Sequence, residues 1–280
     1  MTAMGIADLR TKHVLVTGAA SGIGRAAVLG FVKRGAHIVA SDLNPTALEA
    51  LKKEVETMGV HCMTHVVDVS DEAAMKQFAD AVHGEVGAVD VLINNAGIGY
   101  LGHFLKSDLA HWDRVMKVNL MGVVHGCYFF IPKMVEAGGP RQVLNVASSA
   151  ANYPVPTMAA YAASKYAVAG FSEVLKMELS GTSVCVTTVC PGVVNTAIVR
   201  SSGNVAPSIT HEQIAKLQAY YQAKGCHPDL VAEDMVRAVE SGRDLLLTGP
   251  YAKLVHRLKR VSVGAVRKLT IDSARKIGYL

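Results

Sequence analysis

Short apolar runs and longer stretches of helical period alternate along almost the whole chain. Seven runs, His13–Thr17, His37–Ser41, His61–Val67, Val89–Ile93, Gln142–Ala147, Ser183–Val189 and Leu245–Leu247, are mostly short and rich in Val, Ile or Leu. Strands buried on both faces read this way. Between them Gly22–Arg34, Pro45–Met58, Asp71–His83, Leu109–Ala137, Thr157–Leu179 and Asp229–Ser241 carry helical patterns. The first three stop before Gly35, Gly59 and Gly84, residues that can take the left-handed backbone of a helix cap. This alternation predicts an α/β fold: a doubly wound parallel sheet of Rossmann type, with helices on both faces. No linker or repeat interrupts residues 1–248, so they read as one domain. The stretch from about 197 to 227 breaks the alternation. It starts small and polar at Ser201-Ser202-Gly203-Asn204 and turns helical near His211. An insertion past a strand's carboxyl end falls where such sheets bind ligands, so it reads as a substrate loop.

Composition narrows the class. Half of the 280 residues are hydrophobic and 18% are charged, which fits a globular chain with a sizeable core. Every apolar run is interrupted before the ~20 residues of a membrane helix. Met1 to Arg10 shows no basic segment followed by an apolar one, so no signal peptide is expected. The five cysteines (Cys62, Cys127, Cys185, Cys190 and Cys226) are odd in number and lack metal-ligand spacing. Buried thiols in a reducing, cytoplasmic compartment are the simpler reading; a redox role is the alternative. Eleven histidines include no close trio, and no metal site is expected.

The net charge of +5 is unevenly placed. Residues 249–280 hold eight of the 28 Lys and Arg but one acid, Asp272, so the remainder is slightly acidic. In this extension Tyr251, Leu254, Val255, Leu258 and Val261 recur at helical spacing, with Lys253, His256, Arg257, Lys259 and Arg260 on the other arc. Such a basic amphipathic helix can pack on its own domain or on a sister subunit. It can also lie on an anionic membrane surface. Nucleic acid is not expected as a partner, since no aromatic interleaving or binding module accompanies the charge.

Two places carry candidate chemistry. Val14–Thr17 runs into Gly18-Ala19-Ala20-Ser21-Gly22-Ile23-Gly24 and then a helix. Glycines allow a tight turn and close approach of backbone to a pyrophosphate, while a helix N-terminus offers free N–H groups. An ordinary strand–helix turn is the alternative. At the end of the second run stands Asp42, whose carboxylate can accept from ribose hydroxyls and repels a 2′-phosphate. It could equally cap the helix starting near Pro45. Farther along, Tyr161 and Lys165 share a helix face at i and i+4. An ammonium beside a phenol favours the phenolate, bringing its pKa down from ~10 toward working pH. A half-buried tyrosine with a surface lysine is the other reading.

The spacing Thr17-Gly18-x3-Gly22-Ile23-Gly24 resembles the TGxxxGIG loop of the short-chain dehydrogenase/reductases. Asn94-Asn95-Ala96-Gly97, Asn119, Ser148, Tyr161-x3-Lys165 and Pro191-Gly192 follow in that family's order and usual separations. The resemblance spans about Lys12 to Thr248. It implies an oxidoreductase that moves a hydride between NAD and a secondary alcohol or ketone, with Tyr161 as general acid/base. Ser148, thirteen positions before Tyr161, would bond the substrate oxygen, with Ser149 as a neighbour. Asn119 would disturb its helix and hold a water against Lys165.

The resemblance further implies cofactor contacts at Gly18, Ser21, Gly22, Ile23, Gly24, Asp42, Tyr161 and Lys165. Asp68 and Val69 would flank the adenine, Asn95 the ribose, Val194 the carboxamide and Thr196 a phosphate. A homodimer or homotetramer is implied, and no metal. The loop residues Ala197, Ile198, Val199, Val205 and Ile209 predict an apolar pocket and a hydrophobic substrate. A non-catalytic dinucleotide-binding protein on the same fold is the rival, and the intact Asn119, Ser148, Tyr161, Lys165 set speaks against it.

Overall fold

The computed structural model describes residues 5–196, 198 and 204–278, except the side chain of Ile277. Ala197, Val199 and Ser201-Ser202-Gly203 of the substrate loop lie outside the described residues. All seven expected strands form: β1 (His13–Thr17), β2 (His37–Asp42), β3 (Cys62–Val66), β4 (Val91–Asn94), β5 (Arg141–Val146), β6 (Val184–Pro191) and β7 (Leu245–Thr248). They pair in parallel in the order β3-β2-β1-β4-β5-β6-β7. Alternate side chains feed two cores. Val14, Val16, Ile38 and Ile93 pack beneath α1 (Gly22–Val32), α2 (Pro45–Thr57) and α8 (Pro228–Ser241). Leu15, Val39, Leu92 and Val143 pack beneath α3 (Glu72–Val86), α5 (Gly122–Ala137) and α6 (Ala159–Glu178). Burial on both faces is why the strand sequences show no polar alternation.

Four details differ from the sequence expectation. First, α3 runs through Gly84 and stops at Gly87, whose φ of +68° is the left-handed turn. Its last turn packs Val86 against the core, and that contact offsets the ~1 kcal/mol cost of an internal glycine. Second, the helical run Leu109–Ala137 is broken at Asn119, where the resemblance implied a disturbance of the helix but not its form. α4 (Leu109–Met116) passes through a π-helical segment, Lys117–Met121, into α5. Third, that run is long and apolar enough to cross a membrane by length and composition, although none was expected to be. Half of its most apolar window is buried inside the molecule, as in a core helix.

The fourth difference is the tail. The helix expected over Tyr251–Val261 forms as α9 (Ala252–Val261), and a second, α10 (Val263–Ile277), follows it, with an elbow at Ser262 whose hydroxyl caps α10 at Ala265 N (3.1 Å). α9 does not turn its whole apolar arc inward. Ala252 is buried and Val255, His256 and Lys259 are half-buried, while Tyr251, Leu254 and Val261 stay exposed. Specific polar contacts select this face: Lys259 lies 4.7 Å over the Tyr166 ring and donates to its hydroxyl (2.6 Å). α10 buries Val266, Thr270 and Ala274. It packs near α7 (His211–Lys224), the helix of the substrate loop, where Gln213 Nε2 donates to the Gly278 carbonyl (2.6 Å).

Candidate active site

A parallel sheet aligns all its strand carboxyl ends on one edge, and the order reverses between β1 and β4. The crevice outside that point is where open α/β sheets bind ligands. Gly18, Asp42 and Asn95 sit at this edge, at or just past the carboxyl ends of β1, β2 and β4. Gly18 and Gly22 take positive φ (+62° and +52°) in the β1–α1 turn. A Cβ on Gly24 would lie 2.0 Å from the Gly18 carbonyl oxygen, so only glycine fits there. Ser21 precedes α1 without a side-chain cap, which leaves the first-turn N–H groups for an anion. The Thr196 methyl packs 3.4 Å from where a Gly22 Cβ would be, so the segment after β6 closes over the turn.

Asp42 is not the cap of α2; Asn44 is, accepting from Ala47 N (3.0 Å). Instead the Asp42 carboxylate accepts from Ala20 N (2.9 Å) and Asn44 N (3.1 Å), tying the end of β2 to the glycine turn. Asn95 does the same from β4: its amide donates to the carbonyls of Thr17 (2.9 Å) and Gly18 (3.1 Å). Val69 is buried past β3, and its carbonyl meets His125 Nδ1 (2.9 Å). Asp68 is exposed and accepts from Ser70, so its carboxylate serves its own turn. Val194 pairs in a short bridge with Cys226. The glycine cradle, uncapped helix start and Asp42 suit a dinucleotide.

The candidate catalytic residues meet beside this crevice. Ser148 follows β5 and is buried; its Oγ accepts from Ala150 N (3.1 Å) and stands close enough to the Tyr161 phenol to lower its pKa. Ser149 is half-buried one residue on and contributes its backbone carbonyl to the following turn. Lys165 is buried on α6, 5.8 Å from the Tyr161 ring centre, and donates to the Val146 carbonyl (2.8 Å). Asn119 is fully buried in the π segment. The extra residue wound into that turn carries its side chain off the regular ladder. Its amide bonds the Ile98 backbone in both directions (2.8 and 2.9 Å) and donates to Ser164 (3.1 Å). A Cβ on Gly97 would stand 3.2 Å from Asn119 Oδ1 and 3.5 Å from Lys165 Nζ, so the two polar groups flank that glycine.

Burial acts on both ionisable partners of the site. It pushes the phenol up, and Ser148 opposes it. Lys165 itself falls from its ordinary 10.5 to about 8, because burial disfavours its ammonium. Desolvation acts on both partners, favouring the neutral forms.

Several supporting residues escaped the sequence reading. Thr17 Oγ1 accepts from Asn95 N (3.0 Å) and Ala96 N (3.1 Å), fixing the turn after β4. Asn94 donates to Asn145 (2.9 Å), which donates to Ser172 (3.1 Å), a buried polar ladder linking β4, β5 and α6. An asparagine inside the apolar run Gln142–Ala147 was the available signal. Beyond Tyr161 lies an apolar cluster of Leu101, Met158, Ile209, Leu217 and Ala274, with Ile198 and Val205 packed against it. The substrate loop and α10 therefore share one wall beside the phenol.

A family profile described as short chain dehydrogenase matches residues 12–205. A protein of Mycobacterium tuberculosis named "Probable oxidoreductase EphD" is 39% identical over 258 residues, covering 91% of this chain and 44% of that protein. The chain thus spans less than half the length of that relative. A short-chain dehydrogenase/reductase from Burkholderia phymatum, solved in complex with NAD, superimposes with a TM-score of 0.85 at 29% identity, over 93% of this chain and 96% of that one. A metagenomic short-chain oxidoreductase, solved with NADP, gives a TM-score of 0.69 at 28% identity, over 85% and 96%.

Proposed function

Because the chain belongs to the short-chain dehydrogenase family, we propose that it is an oxidoreductase moving a hydride between NAD and a hydrophobic secondary alcohol or its ketone. The observation that carries this reading is the convergence of Ser148, Tyr161 and Lys165 next to the glycine cradle. A dinucleotide held by the Gly18–Gly24 turn and Asp42 would supply the hydride-transfer chemistry at this site. Tyr161 takes the hydroxyl proton in oxidation and donates it to the ketone oxygen in reduction. Ser148 donates to the substrate oxygen where charge develops. Lys165, when charged, favours the phenolate that oxidation needs; burial by itself favours the phenol that reduction needs. Asn119 positions the Ile98 backbone beside Lys165. The apolar cluster beyond Tyr161 favours a lipophilic substrate.

Asp42 favours NAD, since its carboxylate repels a 2′-phosphate. In this reading residues 1–248 are the catalytic domain and 249–280 an appended basic extension. A homodimer or homotetramer is favoured by the apolar residues that α5 and α6 expose, among them Tyr128, Val174 and Met177. A cytoplasmic setting is favoured by five cysteines that form no disulfide with one another, four of them buried.

The test is a fluorescence screen of the purified protein against secondary alcohols and ketones of increasing chain length, with NAD(H) and NADP(H) in parallel. Turnover with NAD(H), rising with chain length, is expected. Protein that binds NADH yet turns over no alcohol or ketone contradicts the reaction, and preference for NADP(H) contradicts the role of Asp42.

A further inference from the structure

The outer side of the tail serves neither the fold nor the site. α9 is pinned from within, where His256 Nδ1 lies 3.2 Å from Asn152 Oδ1 and Lys259 lies over Tyr166. Its opposite side carries two stripes. Lys253, Arg257 and Arg260, at i, i+4 and i+7, are all exposed. Beside them run Leu254, Leu258 and Val261 at the same spacing, with Leu254 57% and Val261 86% exposed. Past the elbow, exposed Val263, Arg267, Lys268 and Leu269 continue both characters. Asp272, the one acid of the tail, is half-buried. An open groove of about 500 Å³ extends the apolar strip from Leu254 to Tyr251 and Leu230.

We propose that this outer face docks reversibly on an anionic lipid surface. A helix with adjacent apolar and basic stripes settles in the plane of a bilayer interface. Its apolar side chains reach the acyl boundary and its cations reach the headgroups. Lysine and arginine stems lie along the apolar layer while their charged ends stay wet. A second copy of this chain fits less well. A two-fold contact presents the same patch from both subunits, so it would set one basic stripe against another, with no exposed acid in the described tail to offset it. Nucleic acid would neutralise the charges but leave Leu254 and Val261 in water.

The experiment is vesicle flotation of the full chain. The vesicles are phosphatidylcholine alone, or equal parts phosphatidylcholine and phosphatidylglycerol, at low salt and at about 1 M salt, where the screening length falls to roughly 3 Å. Binding to the anionic vesicles alone, and its loss in high salt, is expected. The triple variant Lys253→Gln, Arg257→Gln, Arg260→Gln should lower partitioning on the order of a hundredfold, at about fivefold per cation. The double variant Leu254→Ser, Val261→Ser should weaken it at least tenfold through lost apolar insertion. All five side chains are exposed, so NADH binding and thermal stability of the variants should match wild type. The proposal is overturned if the full chain ignores anionic vesicles, or if neither variant weakens binding. It is also overturned if the variants instead change the oligomer's size in light scattering, or if the tail's affinity proves to be for duplex DNA.

Discussion

The buried lysine gives a prediction whose size follows from its environment. Lys165 drops from an ordinary 10.5 to about 8, because burial makes its charge unfavourable. Between those values the unfolded chain keeps the proton and the folded chain does not. Stability therefore rises with pH across that window. Below about pH 8 the lysine is charged in both states and the full penalty applies; above 10.5 it is neutral in both and the penalty vanishes. The difference corresponds to on the order of 3 kcal/mol at ~1.4 kcal/mol per pH unit. The variant Lys165→Met keeps the length of the side chain and cannot charge. It should melt above wild type at pH 7, and the gap should close by on the order of 5 °C as pH rises past 10.

The thiols work in the opposite direction. Cys62 and Cys190 are held up to about 11 and Cys127 to about 12, so each costs stability once pH exceeds the ordinary thiol value. Both proteins share those thiols, so the comparison cancels Cys62 and Cys127, while Cys190 loses the minor downward pull of Lys165 in the variant. The hydrogen bond to the Val146 carbonyl survives in the neutral amine, so its loss shifts the variant's curve without changing the slope. Melting temperatures of both apo proteins from pH 7 to 10.5 measure the effect. Parallel curves would refute the claim that burial, more than pairing, sets the charge state of Lys165.

Three further outcomes follow from the site. Gly24→Ala places a methyl 2.0 Å from the Gly18 carbonyl, so the turn must open. NADH affinity, read by fluorescence titration, should fall at least tenfold, and an unchanged affinity would mean the turn does not hold the dinucleotide. Asp42→Ala removes the carboxylate that a 2′-phosphate would meet, and also the tie to Ala20 N; kcat/KM should fall for NAD and rise relative to it for NADP, whereas a ratio that stays fixed removes Asp42 from cofactor choice. Ser148→Ala should cost ~10²–10³ in kcat, as loss of one oxyanion-type donor does, while Ser149→Ala costs little; the reverse ranking in steady-state kinetics would exchange the two serines.

How much of this was legible in the sequence depends on range. The strands were readable because burial on both faces leaves near-continuous apolar runs, as in Val14-Leu15-Val16. The glycine turn was readable because its backbone demands are local. Gly84 misled because a glycine ends a helix only when packing beyond it offers nothing, and here Val86 does. The tail's pattern showed an amphipathic helix but not which face would dock, since Asn152 and Tyr166, its partners, are about a hundred residues away. The same distance hid the placement of Ala274 in the cluster that Tyr161 packs against. The opposed shifts of Tyr161 and Lys165 depend on burial, which the i, i+4 spacing alone does not reveal.

The central claim, that Tyr161 moves the proton, is tested most directly by Tyr161→Phe. The substitution removes one oxygen and leaves the ring in its apolar cluster. Turnover of the best alcohol found with NAD should fall by ~10²–10⁴, the usual worth of a positioned acid or base. NADH titration should give the wild-type dissociation constant to within a few-fold. A variant that binds NADH normally and keeps more than about a tenth of the wild-type rate, well above what loss of a general acid/base leaves, would contradict the account.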